Sequence, residues 1–334
     1  MKILFVHPGR ALLPEIAAYC RFFEAAGFAT EVAVAGDHGA AGVATGSVLS
    51  ADPEQAESLK PVIEWHFMGS QLRRPAGDRI VVQEYASRST GALHGWKDRI
   101  KRWTNCRPDY RIFLDPSLEQ DFGFRDGVPS GCRNMFYFGE LHDSAPADPE
   151  FDFVYAGSVD ARRRPQQWID AFAPGGKLYG RSLLVLSAFY EQLARRYAGV
   201  PTIHFAGPLN PFETQAQLRR CRFGLNMQPN RVPYNRQAST KLLAYAAAGL
   251  PIISSENNWA RAFEKEQGGA MYFLNEGLDN FNWEAVTDFG YRLPSLEGWS
   301  FADRLAESGI LSFLAAHGCY DGPVRSQDPL HAEL

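Results

Sequence analysis

Cysteine is scarce in this chain and shows no pairing pattern: Cys20, Cys106, Cys132, Cys221 and Cys319 stand far apart, with no CxxC and no histidine at metal-ligand spacing. That argues against a zinc-ribbon site and against a disulfide framework, and leads us to expect a reduced, cytoplasmic protein. Long apolar runs are also missing. The first, Ile3-Leu4-Phe5-Val6, is too short for a signal-peptide core or a membrane span, so neither export nor anchoring is expected. Positive charge is not in excess: 34 Lys and Arg face 38 Asp and Glu, a net charge of -4, which makes nucleic acid an unfavourable partner. No GxGxxG follows a strand pattern, so a nicotinamide cofactor would lack its phosphate cradle, and no cofactor is expected. No Asp-x-Asp follows a hydrophobic strand either, so no metal-held diphosphate is expected.

What the chain does have is apolar material for two cores, 45% hydrophobic residues over 334. Ile3–Val6 reads as a strand, Leu12, Leu13, Ile16, Cys20 and Phe23 fall at helical spacing ahead of Gly27, and Glu31–Ala35 reads as a second strand. Further strands are expected at Val62-Ile63, Ile80–Val82 and Arg111–Leu114. The stretch Asp-Ser-Ala-Pro-Ala-Asp-Pro-Glu over 143–150 has two prolines and no periodicity, and marks a linker. The alternation then restarts: strands at 151–156, 202–206, 223–227, 251–255 and 271–274 interleave with helices at 165–172, 211–221, 239–248 and 259–265. The expected fold is therefore α/β, with two doubly wound domains over 1–146 and 147–300. A last helix over 301–316 and a polar tail complete a segment 301–334.

In an open parallel sheet, ligands bind where strand carboxyl ends meet helix N-termini. Two loops of the second domain suit an anion there. Gly157-Ser158-Val159-Asp160-Ala161-Arg162-Arg163-Arg164 follows a strand, opens on glycine and ends in guanidinium groups, which match phosphate oxygens in charge and geometry. The alternative is a solvated basic helix start, which the helix dipole disfavours without an anion. The second loop runs from Asn226 and Gln228 through Tyr234, Arg236 and Gln237 to Ser239, Thr240 and Lys241. Ser239 or Thr240 can cap the following helix, but a cation at Lys241 in its first turn is electrostatically misplaced unless an anion answers it.

The segment Ser-Thr-Lys-Leu-Leu-Ala-Tyr-Ala-Ala-Ala-Gly-Leu-Pro-Ile-Ile-Ser beginning at Ser239 resembles the donor-site segment of GT-B glycosyltransferases of the family 4 type. Phe153–Ser158 with the following arginines is similar to the phosphate loop of those enzymes, and Gly298-Trp299-Ser300-Phe301 with Arg304 to their closing tryptophan segment. Glu84–Gly91 and Pro108–Leu114 are similar to polysaccharide-cluster members. The resemblance implies two Rossmann-like domains facing across a cleft, an acceptor domain over 1–146, a nucleotide-sugar domain over 147–300, and a final helix returning toward the first. It implies a metal-independent, retaining transfer of sugar from a nucleoside diphosphate sugar to an acceptor hydroxyl in a surface polysaccharide or lipid-linked glycan. Arg163 would then bind phosphate, with Ser158 where many members carry arginine, and Ser239, Thr240 and Lys241 would hold the distal phosphate. The family's two glutamates are replaced by Arg236 and Ala244. Losing a hydrogen bond to a charged group costs roughly 1.5–3 kcal/mol, about tenfold to a hundredfold in nucleotide affinity. Arg236 would instead suit an acidic donor sugar or an extra phosphate oxygen. Two other readings follow: a weakly active or non-catalytic homologue supporting a partner enzyme, and a nucleotide-sugar epimerase.

In the first domain, His7 follows the first strand and either contacts a ligand or closes the turn. Glu84 ends a strand beside a Ser, Arg, Ser, Thr cluster and is either a general base toward an acceptor hydroxyl or a structural hydrogen-bond partner. His66 and Asp115 occupy similar strand ends. Residues 94–107 space Trp96, Ile100 and Trp103 along one helical face among Lys97, Arg99, Lys101 and Arg102. Such a helix packs its stripe on its own sheet, the commoner arrangement, or lies peripherally on an anionic membrane.

Overall fold

The computed structural model describes residues 1–9, 13–34, 62–67, 70–87, 94–159, 163–230, 235 and 238–323. The chain divides into two compact units, Met1–Met135 with Phe301–Leu334, and Phe136–Ser300; the division falls ahead of the proline-containing stretch at 143–150.

In the first unit the elements are β1 (Lys2–His7), α1 (Glu15–Ala25), β2 (Ala29–Val34), β3 (Ile63–Phe67), β4 (Ile80–Tyr85), α2 (His94–Thr104), β5 (Tyr110–Phe113), α3 (Pro116–Phe122) and β6 (Ser130–Cys132). The six strands form a parallel sheet in the order β2-β1-β3-β4-β5-β6. Its core is aromatic. Phe5 on β1 and Trp65 on β3 meet Tyr19 and Phe23 on α1 at centroid distances of 4.7–6.3 Å. Two further helices, α10 (Phe301–Glu307) and α11 (Ile310–Ala316), pack on this unit: Phe301 stands edge-on to Tyr19 at 4.8 Å and Phe313 lies 4.9 Å from Tyr110. The expected single helix over 301–316 is broken. Gly309 takes a left-handed φ of 75°, and the Ser308 carbonyl accepts from the Tyr110 hydroxyl at 2.7 Å.

The second unit runs β7 (Phe151–Ala156), α4 (Gln166–Ile169) continuing into a 3-10 turn, β8 (Leu183–Leu186), α5 (Glu191–Arg196), β9 (Ile203–Ala206), α6 (Pro211–Leu218), β10 (Cys221–Asn226), α7 (Thr240–Ala247), β11 (Ile252–Ser255), α8 (Asn258–Glu266), β12 (Tyr272–Leu274) and α9 (Trp283–Thr287). The strands order as β12-β11-β10-β7-β8-β9, all parallel. Apolar side chains of neighbouring strands pack together, with Phe153, Leu183, Val185, Phe223 and Ile253 sharing one core with Trp168, Phe172 and Phe281. Asparagine caps start three of these helices. Asn210 accepts from the N–H groups of Phe212 and Glu213, and Asn257 and Asn282 cap α8 and α9 in the same way. The strands β6 and β8 are additions to the sequence expectation.

Candidate functional site

The order of the second sheet reverses between β7 and β10: from β7 the chain proceeds outward through β8 and β9, and from β10 through β11 in the opposite direction. At such a switch point the two loops leave in opposite directions and open a crevice at the strand carboxyl ends. One side chain absent from the sequence reading holds this junction together. The Tyr245 hydroxyl accepts from the Ala156 N–H on β7 at 2.9 Å and donates to the Leu225 carbonyl on β10 at 3.0 Å. Gly224 makes room for the ring, since a Cβ there would run into it. The pin fixes the rotation of α7. Lys241 lies four residues earlier on the same helical face, so it is carried to the mouth of the switch point.

There Lys241 is 8% exposed and packs on Gly157. A Cβ at Gly157, whose φ is 149°, would lie 3.3 Å from the lysine Cδ and 3.6 Å from its Nζ. The ammonium stands 5.7 Å from the centre of the Tyr155 ring, and the Tyr155 hydroxyl donates to the Ser158 carbonyl at 2.7 Å, tying down the loop. Burial first, and the positive charge of Arg163 second, together pull the Lys241 pKa down to about 7. Among the described residues no carboxylate answers this ammonium. The two cations singled out from separate loops therefore come together electrostatically.

Arg163 also lines a cavity of about 940 Å³ at the carboxyl ends of β10, β11 and β12, together with Arg164, Gln228, Asn230, Glu256, Asn275 and Glu276. The backbone at Arg164 is left-handed, φ 48°, a conformation that costs a non-glycine residue on the order of 1 kcal/mol and turns the chain sharply into α4. Gln228 is held by one end: its amide nitrogen donates to the Ser239 hydroxyl at 3.2 Å, and its Oε1 atom is buried without a hydrogen-bond partner among the described residues. An orphaned acceptor in a polar cavity calls for a donor from a ligand.

Several of the expected site residues have partners within the chain, and Asn226 and Ser239 bond each other. Asn226 is fully buried, its amide donating to the Ser254 hydroxyl at 2.8 Å and its oxygen accepting from Ser239 at 2.8 Å. Ser239 occupies the N-cap of α7 without making a side-chain cap bond, because that hydroxyl is turned inward. Thr240 is exposed at the first helical position. The helix after the arginine loop is one turn followed by a 3-10 turn, so its dipole adds little. Arg162, Tyr234, Arg236 and Gln237 lie outside the described residues.

In the first unit Glu84 has the surroundings of the second of its two expected roles, a structural hydrogen-bond partner. It is 2% exposed, and its two oxygens receive four hydrogen bonds: from the Tyr19 hydroxyl at 2.8 Å, the Trp65 indole at 3.0 Å, and Arg133 Nε and Nη2 at 3.2 and 2.8 Å. A carboxylate so occupied has no lone pair to spare for an acceptor hydroxyl. The His7 Nδ1 accepts from the Gly9 N–H at 2.9 Å, so the neutral ring carries its proton on Nε2 and offers a donor there, not a base. His66 bonds Glu64 and Gln71, and Asp115 caps α3 through the Leu118 N–H.

No known family profile matches the chain, and no curated protein matches it. Solved structures do. Sucrose-phosphate synthase from Thermosynechococcus elongatus aligns over 95% of this chain and 100% of its own at 13% identity and a TM-score of 0.55. The α,α-trehalose 6-phosphate synthase of Burkholderia multivorans aligns over 96% and 99%, at 11% identity and 0.53. Anabaena HepE in complex with UDP and glucose aligns over 86% and 89%, at 13% identity and 0.50. The fold is GT-B. Its two Rossmann-like domains are the two parallel sheets already described, and at these identities the likeness speaks to the fold alone. No helix among the described residues is long and apolar enough to cross a membrane.

Proposed function

We propose that this chain is a glycosyltransferase that moves a sugar from a nucleoside diphosphate sugar, bound by Phe136–Ser300, to an acceptor hydroxyl of a surface polysaccharide or lipid-linked glycan, without a metal ion. The observation that carries the reading is Lys241, a buried ammonium beside Gly157 whose charged neighbour is Arg163 and which no carboxylate of the described residues answers. Two like charges at a poorly solvated switch point repel; a diphosphate set against both converts that repulsion into attraction. The same cations serve the chemistry. As the bond from the sugar C1 to the diphosphate oxygen breaks, negative charge grows on the leaving diphosphate, and fixed cations stabilise it more in the transition state than in the ground state. The acceptor oxygen forms the new bond to C1 as its proton passes to the departing diphosphate oxygen. The cavity beside Arg163 has the polar lining that a nucleoside or sugar hydroxyl needs: carboxylates at Glu256 and Glu276, amides at Gln228 and Asn275. Support from the fold is that HepE, which shares it, was solved with UDP and glucose.

A thermal-shift screen of nucleoside diphosphates and their sugars tests the reading, because selective binding to the folded state raises the melting temperature. We expect one nucleotide class to raise it saturably, Lys241→Ala to abolish the shift, and Ala244→Glu on the partly exposed side of α7 to preserve or enlarge it. A flat response across the panel would contradict donor binding. Incubating the bound nucleotide sugar alone then separates transfer from epimerisation: an isomeric nucleotide sugar appearing without acceptor would replace the transferase by an epimerase.

A further inference from the structure

The apolar stripe of α2 does not pack on its sheet. Trp96 is 65% exposed, Ile100 52% and Trp103 78%, at spacings of four and three residues, so all three lie along one solvent-facing side of a three-turn helix. Exposed tryptophan at two positions of one stripe is costly in water and needs an occasion. The charge around it narrows the partner. In sequence, residues 97–107 hold Lys97, Arg99, Lys101, Arg102 and Arg107 against the single carboxylate of Asp98, in a chain whose net charge is -4. The helix is not a loose appendage. Arg102 Nη1 reaches the carbonyls of Phe122 and Gly123 at 3.4 and 3.3 Å, satisfying the end of α3, and the Cys106 N–H donates to the Gln71 carbonyl at 2.7 Å. Beside that second tether Leu72 is 67% exposed and precedes Arg73 and Arg74.

We propose that α2 docks the protein on an anionic lipid surface, the indoles of Trp96 and Trp103 and the Ile100 side chain entering the headgroup boundary while the basic segment meets acidic headgroups. Indole suits that boundary because it pairs a large apolar ring with one N–H donor. The acidic balance of the rest of the chain makes the orientation selective, since an anionic surface repels the protein elsewhere and attracts it at this segment. The inference is independent of the donor-site reading: it concerns a surface of the first unit and predicts binding without any nucleotide.

Co-sedimentation of the full chain with vesicles of phosphatidylcholine plus phosphatidylglycerol, against vesicles of phosphatidylcholine alone, tests it. The protein should pellet with the anionic vesicles only and be released as salt is raised. The double variant Trp96→Ala, Trp103→Ala should bind them at least about tenfold more weakly, while keeping the parent's melting temperature, because both side chains are exposed. Three results would each overturn the proposal: parent protein that stays in the supernatant, a double variant that pellets equally well, or a parent that dimerises through the stripe in sedimentation velocity and ignores vesicles.

Discussion

Each unit of this molecule buries at least one cation, and one from each, Arg133 and Lys241, are treated in opposite ways. Arg133 in the first unit is 2% exposed and meets Glu84 through two guanidinium nitrogens, with Tyr19 and Trp65 completing the carboxylate's shell. The Glu84 charge holds its pKa above the ordinary arginine value despite burial. Lys241 in the second unit is 8% exposed and has Arg163 for its charged company, so its pKa falls to about 7. A buried charge whose counter-ion is built into the chain belongs to the fold. One whose counter-ion is missing from the described residues is poised for a ligand.

If that contrast is right, substitutions at the two places should move stability in opposite directions. Glu84→Gln should be the most damaging, on the order of 3–5 kcal/mol, because it leaves the Arg133 charge buried and uncompensated; denaturant unfolding measures it, and a loss below about 1 kcal/mol would contradict the structural role. Lys241→Met should instead stabilise the ligand-free protein, on the order of a few kcal/mol at pH 6. A lysine whose folded pKa is depressed below its unfolded value of 10.5 penalises the fold wherever the unfolded chain keeps the proton. That penalty is full below pH 7 and fades as pH rises from 7 toward 10.5, so the gain in the methionine variant should shrink between pH 6 and 9. A pH-independent difference would point to packing instead. A smaller effect belongs to Gln228. Removing its orphaned acceptor in Gln228→Leu, which also gives up the bond to Ser239, should weaken nucleotide-sugar binding by about 1 kcal/mol, roughly fivefold in Kd; unchanged affinity would mean that Oε1 has no ligand donor.

The same contrast shows what was legible in the sequence. Lys241 was visible because its oddity is local: a cation in the first turn of a helix is a misfit that needs no knowledge of the fold. Arg133 was not, because its meaning depends on Glu84, 49 residues away, and on a three-residue strand too short to produce a period. For the same reason Glu84 reads on its strand end as either a base or a structural partner, and only its contacts with Arg133 favour the second. Strand and helix alternation predicted both sheets but not the strand Leu183–Leu186, because a four-residue apolar run does not by itself tell a buried strand from a piece of buried helix. Tyr245 escaped notice because its two hydrogen bonds join strands that become neighbours only at the switch point. The stripe of Trp96, Ile100 and Trp103 was found from its spacing, which says that three side chains share a face but not whether that face turns inward.

The most direct test of the central claim is calorimetric. A nucleoside diphosphate sugar that binds should raise the Lys241 pKa by supplying the missing counter-ion, so titration at pH 8 in two buffers of different ionisation enthalpy should report uptake of close to one proton. At pH 6, where the free protein already carries that proton, uptake should be near zero, and in Lys241→Met it should vanish at both values along with most of the affinity. Tight binding with no proton uptake at pH 8, or unimpaired binding by the methionine variant, would contradict the account.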